Sequence, residues 1–466
     1  MDEVASRDEI QSILERQIDD GATFSSIRQK QTLVHREGIW SGHKSHIERE
    51  ESFTFWTLSS LFRGTWMSAS SSSLDGLKKS HDRLLEAVKD VLDYRGIPVS
   101  TQHALAPKPV RQVRDGGLNA EALPPDEILG EFLQEWRHLF SHPLDIKYQD
   151  RLIHSQYWDS EHTLGESFFV NAELKVSVLE GDRREERKLY HCASTQQPLS
   201  LQELTWTKEL RRWNRTLSEE VFRGPNPEDF CWILSSRAFA QLIQGTLGPT
   251  LCLQRPDPFC EDMNPASLDE EAIAPECLTI TCSPALSGDN VVDEEGVRMR
   301  SLPLIENGIL KHFLMTRSSA QLLHRSLPVH KKIVLPGCAR LDSDNHQIFP
   351  DMRCVEVSPG ASLEKDLRLS HVLISDLEVT PLGGTKDRFM IRSNNALVNK
   401  FGGQHRRHLP SFSFVASRQE IWSRLQTIGI ESGLITLPSP RAVYEEPMSF
   451  FKVPMARFSG FPCSWT

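Results

Sequence analysis

Two pairs of histidines lie at spacings that could place two imidazoles on one metal ion. His138 and His142 are four residues apart in WRHLFSHPL, and His405 and His408 are three apart in GGQHRRHLP. Imidazoles one helical turn apart can converge on zinc. However, Pro143 follows the first pair at once, and two arginines within the second pair oppose a cation. We interpret the first pair as a helix end and the second as a basic surface loop.

Four carboxylates form the other cluster with chemical potential. Closely placed carboxyl groups can act as general acid and general base. Three of them lie in VVDEEGVRMR (291–300), which has the composition of a turn between β-branched residues, and this favours a solvated turn as its role. The carboxylates are Asp289, Asp293, Glu294 and Glu295.

Cysteine chemistry has weak support. The nine cysteines include no CxxC pair, and a reduced, mostly buried state is expected for them. His191 and Cys192 are adjacent, but neighbours on a strand point to opposite faces, so they do not form a thiolate-imidazolium pair. A metal-free hydrolase built from residues distant in sequence remains an alternative.

The stretch LIENGILKHFL (304–314) predicts a β-hairpin. Asn307 and Gly308 tolerate the positive φ angles of a type I′ turn. The strands are expected at 299–306 and 309–315, and Pro303 places the first of them at an edge or a bulge. The expected pairs are Ile305 with Leu310 and Leu302 with Phe313.

The rest of the chain predicts an α+β protein with two domains. Its 466 residues exceed the roughly 250–300 that one hydrophobic core supports. We expect an N-terminal domain, 1–224, of helices and a curved sheet, with a Pro/Gly-rich excursion at 96–125. A second domain, 225–466, is expected to hold a mixed sheet, with short strands beyond residue 320. Hydrophobic periodicity predicts helices at 8–20, 74–94, 126–140, 199–222 and 235–245.

Composition narrows the function classes. Hydrophobic residues make up 39% of the chain and charged residues 25%, as in globular proteins. No apolar run approaches the roughly 20 residues of a membrane span, and the polar start does not resemble a signal peptide, so a cytoplasmic location is expected. A net charge of −10 disfavours nucleic acid as a partner.

Three stretches carry a family resemblance. The first is the N-terminal helix ending in DDGAT before SSIRQKQTLVHREGIWSG. The most specific is SGDNVVDEEGVRMRSLPLIENGILKHFLMTRSSAQLL (287–323), with an Asp-Glu-Gly turn, a Glu-Asn-Gly hairpin and a following helix. The third is FSFVASRQEIW (412–422), similar to a late strand. Over most of its length the sequence resembles the TldD/PmbA family, once described as gyrase modulators and now as peptide-processing metalloproteases.

The resemblance implies an N-terminal α+β domain and a C-terminal barrel-like mixed sheet. Active members carry His-Glu-x-x-x-His on a helix upstream of the hairpin, and a cysteine near the C terminus completes the zinc site. Here the helix reads SSRAFAQLIQGTLG (235–248), and none of the 17 histidines is followed by Glu. Ala240, Gln241 and Gln244 replace the expected ligands, and carboxamides bind zinc poorly. Cys463 has the location of the ligand cysteine, but one thiolate without the two histidines cannot form a zinc site.

The resemblance therefore implies a chain without catalytic, cofactor-binding or metal-binding residues of its own. Such family members, of the PmbA or TldE type, pair with a zinc-bearing TldD-type subunit to form a heterodimeric peptidase. The expected ligands are that subunit and a peptide or small amide substrate, with zinc in the partner. An alternative is a tailoring or binding protein of natural-product biosynthesis that acts on a small amide conjugate.

Overall fold

The chain is described from a computed structural model. The structure describes residues 7–22, 24–41, 44–50, 53–62, 65–94, 126–140, 144–162, 164–180, 183–194, 206–218, 230–253, 272–287, 292–317, 319–320, 323, 334–341, 348–382, 387–400, 405–409, 411–438, 448–461 and 464–465. The proposed excursion at 96–125 and the proposed domain boundary near residue 225 lie outside these residues. Within them, no helix is long and apolar enough to span a membrane.

The first part of the chain forms a seven-stranded antiparallel sheet. Its strands are β1 (Phe24–Ser41), β2 (Lys44–Glu50), β3 (Phe53–Phe62), β4 (Thr65–Ser71), β5 (Leu144–Asp159), β6 (Leu164–Glu180) and β7 (Arg183–Ser194). The order is β4-β3-β1-β5-β6-β7, with β2 beside β1. The helices are α1 (Arg7–Asp19), α2 (Leu74–Tyr94), α3 (Asp126–His138) and α4 (Trp206–Ser218). Each lies within a few residues of its predicted position, apart from α4, whose predicted ends fall outside the described residues.

These four helices pack on one face of the sheet. Helix α1 packs on Ile27 and Trp56, while α3 and α4 pack on the even-numbered residues of β5 from Leu144 to Leu152. From Ile153 onward the buried residues of β5 are the odd-numbered ones. Because alternate strand residues face opposite ways, the second half of β5 is covered from the other side.

The second part of the chain forms a mixed sheet of twelve strands, of order β12-β11-β10-β16-β22-β8-β17-β18-β20-β23, with β19 beside β18 and β21 beside β22. Its strands are β8 (Cys231–Leu234), β10 (Ile280–Cys282), β11 (Leu302–Glu306), β12 (Ile309–Leu310), β16 (Cys354–Val357), β17 (His371–Pro381), β18 (Arg388–Lys400), β19 (His405–Leu409), β20 (Phe412–Ser417), β21 (Leu425–Pro438), β22 (Met448–Phe458) and β23 (Ser464–Trp465). Two short sheets pair β9 (Cys252–Leu253) with β13 (Leu314–Met315) and β14 (Ala339–Leu341) with β15 (Ile348–Pro350).

The helices described in full beside this sheet are α5 (Ser236–Thr246), α6 (Gly248–Leu251), α7 (Glu364–Leu367) and α8 (Arg418–Trp422). Strand β8 is parallel to β17, and β16 is parallel to β22, so the sheet is mixed as expected. The prediction of short strands beyond residue 320 is wrong for four of them, β17, β18, β21 and β22. These run for 11 to 14 residues because each has long pairing partners distant in sequence.

The hairpin is confirmed at its turn and shorter than predicted in its arms. Asn307 and Gly308 have φ angles of 50° and 78°, and Ile305 pairs with Leu310. A register shift opposite Pro303 gives the expected bulge. The predicted pair of Leu302 and Phe313 does not form in the ladder. Strand β12 ends at Leu310, and the chain turns away to pair at β13 with β9.

Candidate functional site

Helix α5 occupies the position expected for a zinc helix, and its start is fixed by the strand before it. Strand β8 delivers Ser235 to the helix N-cap, where its Oγ accepts a hydrogen bond from the Ala238 N–H at 3.2 Å. The same hydroxyl donates to the carbonyl of Ser375 at 2.9 Å. The helix is thereby held against β17, with Phe239 and Leu242 buried in the core of the second sheet.

The three residues at the predicted ligand positions all serve packing within the chain. Ala240 is buried in the apolar core. Gln241 donates through Nε2 to Oδ1 of Asp376 at 2.5 Å and accepts from the Leu377 N–H at 2.8 Å. Gln244 donates through Nε2 to the carbonyl of Pro438 at 3.0 Å. The two carboxamides thus supply hydrogen-bond partners for the Leu377 N–H on β17 and for the Pro438 carbonyl on β21.

Arg237 extends this network to the first sheet. Its Nε lies 3.3 Å from Oδ1 of Asp376, and its Nη2 donates to the carbonyl of Lys188 on β7 at 2.8 Å. The pKa of Arg237 is raised: burial alone would lower it, and Asp376 is the largest opposing cause. One guanidinium therefore ties the first turn of α5 to an edge strand of the other sheet.

Gly245 leaves no room for a side chain on the next turn of the helix. A Cβ at this position would lie 2.5 Å from Cβ and Cγ1 of Val379 on β17. A six-residue zinc motif that begins at Ala240 places its second histidine at residue 245. That imidazole would have to displace β17 from the helix.

The residues of α5 therefore do not fit zinc. Ala240 has no donor atom, and the oxygen of the Gln241 side chain, its only zinc-binding atom, already accepts a backbone hydrogen bond. Among the residues that the structure describes, no three His, Cys, Asp or Glu side chains are grouped closely enough to hold a metal ion.

The carboxylate turn is buried, and the prediction of a solvated turn is wrong. Asp293 is 1% exposed and Glu295 is 0% exposed. The Asp293 carboxylate accepts three backbone N–H bonds of 2.9 Å, from Glu295, Val297 and Ala339. The turn closes inside the protein because the first sheet covers it. Asp289 lies outside the described residues.

Two arginines connect this turn to the first sheet. Arg28 on β1 lies 2.7 Å from Oε2 of Glu294 and donates to the carbonyl of Asp293 at 2.7 Å. Arg317 contacts both carboxylate oxygens of Glu161, at 3.3 and 3.4 Å, and lies 4.2 Å above the ring of Phe24. The carboxylate turn thereby covers odd-numbered residues in the second half of β5, such as Tyr157 and Asp159.

Charge and burial set the pKa values at this junction. Burial raises the pKa of Asp293, although its three backbone hydrogen bonds act in the opposite direction. Burial alone would also raise the pKa of Glu294, but four nearby cations lower it below its usual value. These cations are Arg28, Lys30, Arg353 and Arg340. The two adjacent carboxyl groups are engaged in folding contacts rather than arranged around a common reacting centre.

The structure does not bring the other candidate residues together as a site. His138 is exposed at the last residue of α3, in agreement with a solvated helix end, and His142 lies outside the described residues. His405 and His408 lie on β19, so the predicted loop is wrong: the segment pairs with β18, a partner that sequence proximity did not suggest.

The remaining cysteine candidates are also dispersed. His191 and Cys192 are neighbours on strand β7, as expected. Burial lowers the pKa of His191. The described cysteines are free and half of them are buried, namely Cys282, Cys338 and Cys354. Cys463 lies outside the described residues.

Sequence reasoning missed Arg237 and Asp376, which anchor the helix. Arg237 precedes the degenerate positions by one turn, and a charged residue inside an otherwise apolar helix is a signal that could have drawn attention. Asp376 lies 135 residues from Gln241 and has no local signal of its role.

Comparison with known proteins agrees with the fold and this site. Residues 229–377, which include α5, the carboxylate turn and the hairpin, match the profile of the PmbA/TldA metallopeptidase C-terminal domain. No curated protein matches the sequence. Among solved structures, TldE from Thermococcus kodakarensis matches with a TM-score of 0.71 and 16% identity, over 98% of this chain and 99% of that one.

Two further structures are candidate modulators of DNA gyrase. The one from Bacteroides thetaiotaomicron has a TM-score of 0.64 and 13% identity, and covers 99% of this chain and 100% of that one. The one from Thermotoga maritima has a TM-score of 0.62 and 12% identity, and covers 98% and 100%. At these identities the likeness establishes the fold alone.

The match places residues 229–377 in the family of PmbA/TldA metallopeptidase C-terminal domains. The chain as a whole shares the fold of the three solved structures.

Proposed function

We propose that this chain is the non-catalytic subunit of a two-chain TldD/PmbA-type peptidase, whose zinc is held by a TldD-type partner. The observation that carries the proposal is the use of Gln241 and Gln244 as structural hydrogen-bonding groups. A helix committed in this way supports the fold and contributes no metal ligand.

The hydrogen bonds and the packing of α5 support the proposal that zinc is held by the partner and not by this chain. Restoring the motif glutamate at position 241 would cause the loss of the hydrogen bond that Nε2 now donates to Oδ1 of Asp376, and would leave two carboxylates in contact. Such a loss costs about 1–3 kcal/mol. A ligand at 245 would collide with Val379. The helix is therefore stabilised in a form that excludes the motif.

The role of this chain would be to complete the active subunit and to form a wall of the substrate chamber. Its substrate would be a peptide or a small peptide-like amide. DNA is disfavoured as a partner, since the net charge is −10. The cytoplasmic location remains a prediction.

Co-expression tests the proposal. The chain is produced alone and together with a family member that carries His-Glu-x-x-x-His, and each sample is analysed by size-exclusion chromatography, metal content and peptide hydrolysis. We expect a one-to-one complex with one zinc per pair, and activity only with both chains. The matched control replaces the motif Glu of the partner by Gln, which should abolish activity and preserve the complex.

One result would overturn the proposal. If the chain alone holds a full equivalent of zinc and hydrolyses peptides, it is an enzyme in its own right and α5 is not its metal-free helix.

A further inference from the structure

Glu173 and Tyr190 are directly opposite each other on strands β6 and β7. The residue after Glu173 and the residue before Tyr190, Leu174 and Leu189, are buried in the core beneath α3 and α4. Because alternate strand residues face opposite ways, Glu173 and Tyr190 lie on the other face of the sheet. The Cβ atoms of directly opposed residues are about 4.5–5.5 Å apart, so one small ligand can contact both side chains.

This pair lies where the edge of the first sheet meets α5. Arg237, in the first turn of that helix, donates to the carbonyl of Lys188, two residues before Tyr190 on β7, at 2.8 Å. Arg237 and Asp376 are also among the charged groups that act on Tyr190. The phenol therefore lies close to the hydrogen-bonding network of α5, and a ligand bound to it would be next to that helix.

The surroundings of Tyr190 keep its hydroxyl protonated. Burial raises the pKa of Tyr190, and the charges of Glu173, Glu186 and Asp376 raise it further, whereas Arg237 acts in the opposite direction. Among the described residues, none forms a hydrogen bond with this hydroxyl. The phenol can therefore accept a hydrogen bond from a ligand and can also donate one.

Two of these three carboxylates already have cationic partners. Oδ1 of Asp376 lies 3.3 Å from Nε of Arg237, and Glu186 contacts the ammonium groups of two lysines, at 2.9 and 3.8 Å. Glu173 forms no ion pair with any residue in the part of the chain that the structure describes. It is therefore the carboxylate that a cationic ligand can bind.

We propose that Glu173 and Tyr190 form a binding site for a primary ammonium group beside α5. An ammonium has three N–H donors and no acceptor, so it matches a carboxylate next to a phenol oxygen. Both residues are partly exposed, so a ligand can reach them, and their partial burial strengthens a charge-assisted hydrogen bond. A metal ion fits less well, since no three His, Cys, Asp or Glu side chains of the described residues are grouped closely enough to hold one. The ligand we assign is the N-terminal ammonium of a peptide.

Only the choice of a peptide as the source of the ammonium rests on the proposed function. The site itself belongs to this chain alone and can be tested without a partner subunit, so a failure of the site and a failure of the heterodimer are observed in different experiments.

Calorimetric titration of the full chain with small peptides tests the site. The probes are tri-alanine amide, acetyl-tri-alanine amide and Nα-acetyl-lysine amide, which carry an N-terminal ammonium, no ammonium and a side-chain ammonium. At pH 7 we expect tri-alanine amide to bind about 10-fold more tightly than its acetylated form, and more tightly than the lysine derivative. At pH 9 this preference should be largely lost, because an α-amino group with a pKa of about 8 is then neutral while the hydroxyl of Tyr190 is still protonated.

Three variants assign the binding to this pair. Glu173→Gln removes the charge and keeps the size of the side chain, and it should abolish the preference for the free amine. Tyr190→Phe removes only the hydroxyl and should reduce the preference several-fold. The matched control is Glu131→Gln, the same change at an exposed glutamate of α3, which should keep the preference.

Equal binding of the free and the acetylated peptide would overturn the inference, as would a preference that is unchanged in both Glu173→Gln and Tyr190→Phe. The two variants alter different strands, so the test remains decisive if one of them does not fold. If the lysine derivative binds more tightly than tri-alanine amide and still binds at pH 9, the ammonium site stands and the assignment of the peptide N terminus fails.

Discussion

Gly245 of α5 lies directly against Val379 of β17, so close that a Cβ on the glycine would lie 2.5 Å from two carbons of the valine. Helix and strand therefore pack so closely that no side chain fits at position 245.

A methyl group at Gly245 is expected to destabilise the protein. Gly245→Ala forces α5 away from β17 and should lower the free energy of unfolding by about 1–3 kcal/mol. Gly130→Ala is the matched control, since Gly130 also lies within a helix but has nothing within 4 Å of its Cβ position. That change should stabilise α3 by about 0.5–1 kcal/mol. Urea denaturation measures both, and equal effects would contradict the packing argument.

Restoring the glutamate of the zinc motif is expected to be unfavourable at neutral pH. In Gln241→Glu a second carboxylate faces Oδ1 of Asp376, where the amide now donates at 2.5 Å. We expect a loss of about 1–3 kcal/mol at pH 7 and a smaller loss at pH 5, because one shared proton restores the hydrogen bond. The control is Gln426→Glu, at an exposed position of β21. A loss that does not depend on pH would count against this account.

Acid is expected to destabilise the first sheet through His81. This residue of α2 is buried, neither ring nitrogen has a hydrogen-bond partner, and burial lowers its pKa from 6.5 to about 4. The unfolded chain therefore binds the proton first, so stability decreases as the pH falls from about 6.5 to about 4, by up to about 3 kcal/mol. Asp82 and Asp20 favour the charged ring, and Arg16 opposes it.

The measurement is urea denaturation at pH 7 and pH 4.5 with two variants. His81→Leu should reduce the pH dependence, because it removes the buried titrating group. His138→Gln, at the exposed end of α3, should change stability by less than about 0.5 kcal/mol at either pH. If His81→Leu keeps the wild-type pH dependence, other groups are responsible for it.

Gly296 is expected to be required at the contact between the two sheets. Its φ angle is +70°, and a Cβ there would lie 2.4 Å from Oη of Tyr157 and 2.6 Å from Oδ2 of Asp159. Gly21 also has a positive φ, of +100°, but nothing lies within 4 Å of its Cβ position. Gly21→Ala thus measures the backbone strain alone, about 1–2 kcal/mol.

Gly296→Ala should destabilise the protein by a further 1–3 kcal/mol or so, since the methyl group also collides with β5. Thermal unfolding of both variants gives the comparison. If Gly296→Ala costs no more than Gly21→Ala, the turn does not pack on Tyr157 as the structure has it.

Local signals in the sequence were sufficient for most elements. Hydrophobic periodicity predicted α1 and α5 to within one or two residues. Asn307 and Gly308 predicted the hairpin turn, since few other residues adopt positive φ there. These features depend on residues within one or two turns of each other.

The wrong predictions share a different origin. The carboxylate turn was expected in solvent because its own composition is polar, yet Arg28, 265 residues away, covers it. The segment of His405 and His408 was expected to be a loop because its pairing partner β18 could not be identified locally. In both cases the decisive contact lies outside any local window.

The sequence by itself determined most helices, the hairpin turn and the absence of histidines from α5, because backbone preference and residue identity act over a few residues. Only the tertiary structure decided what replaces the motif: Gln241 bound to β17, Arg237 bound to β7, and a buried turn held by Arg28 and Arg317. Burial and charge pairing depend on which faces meet, and long-range packing alone sets that.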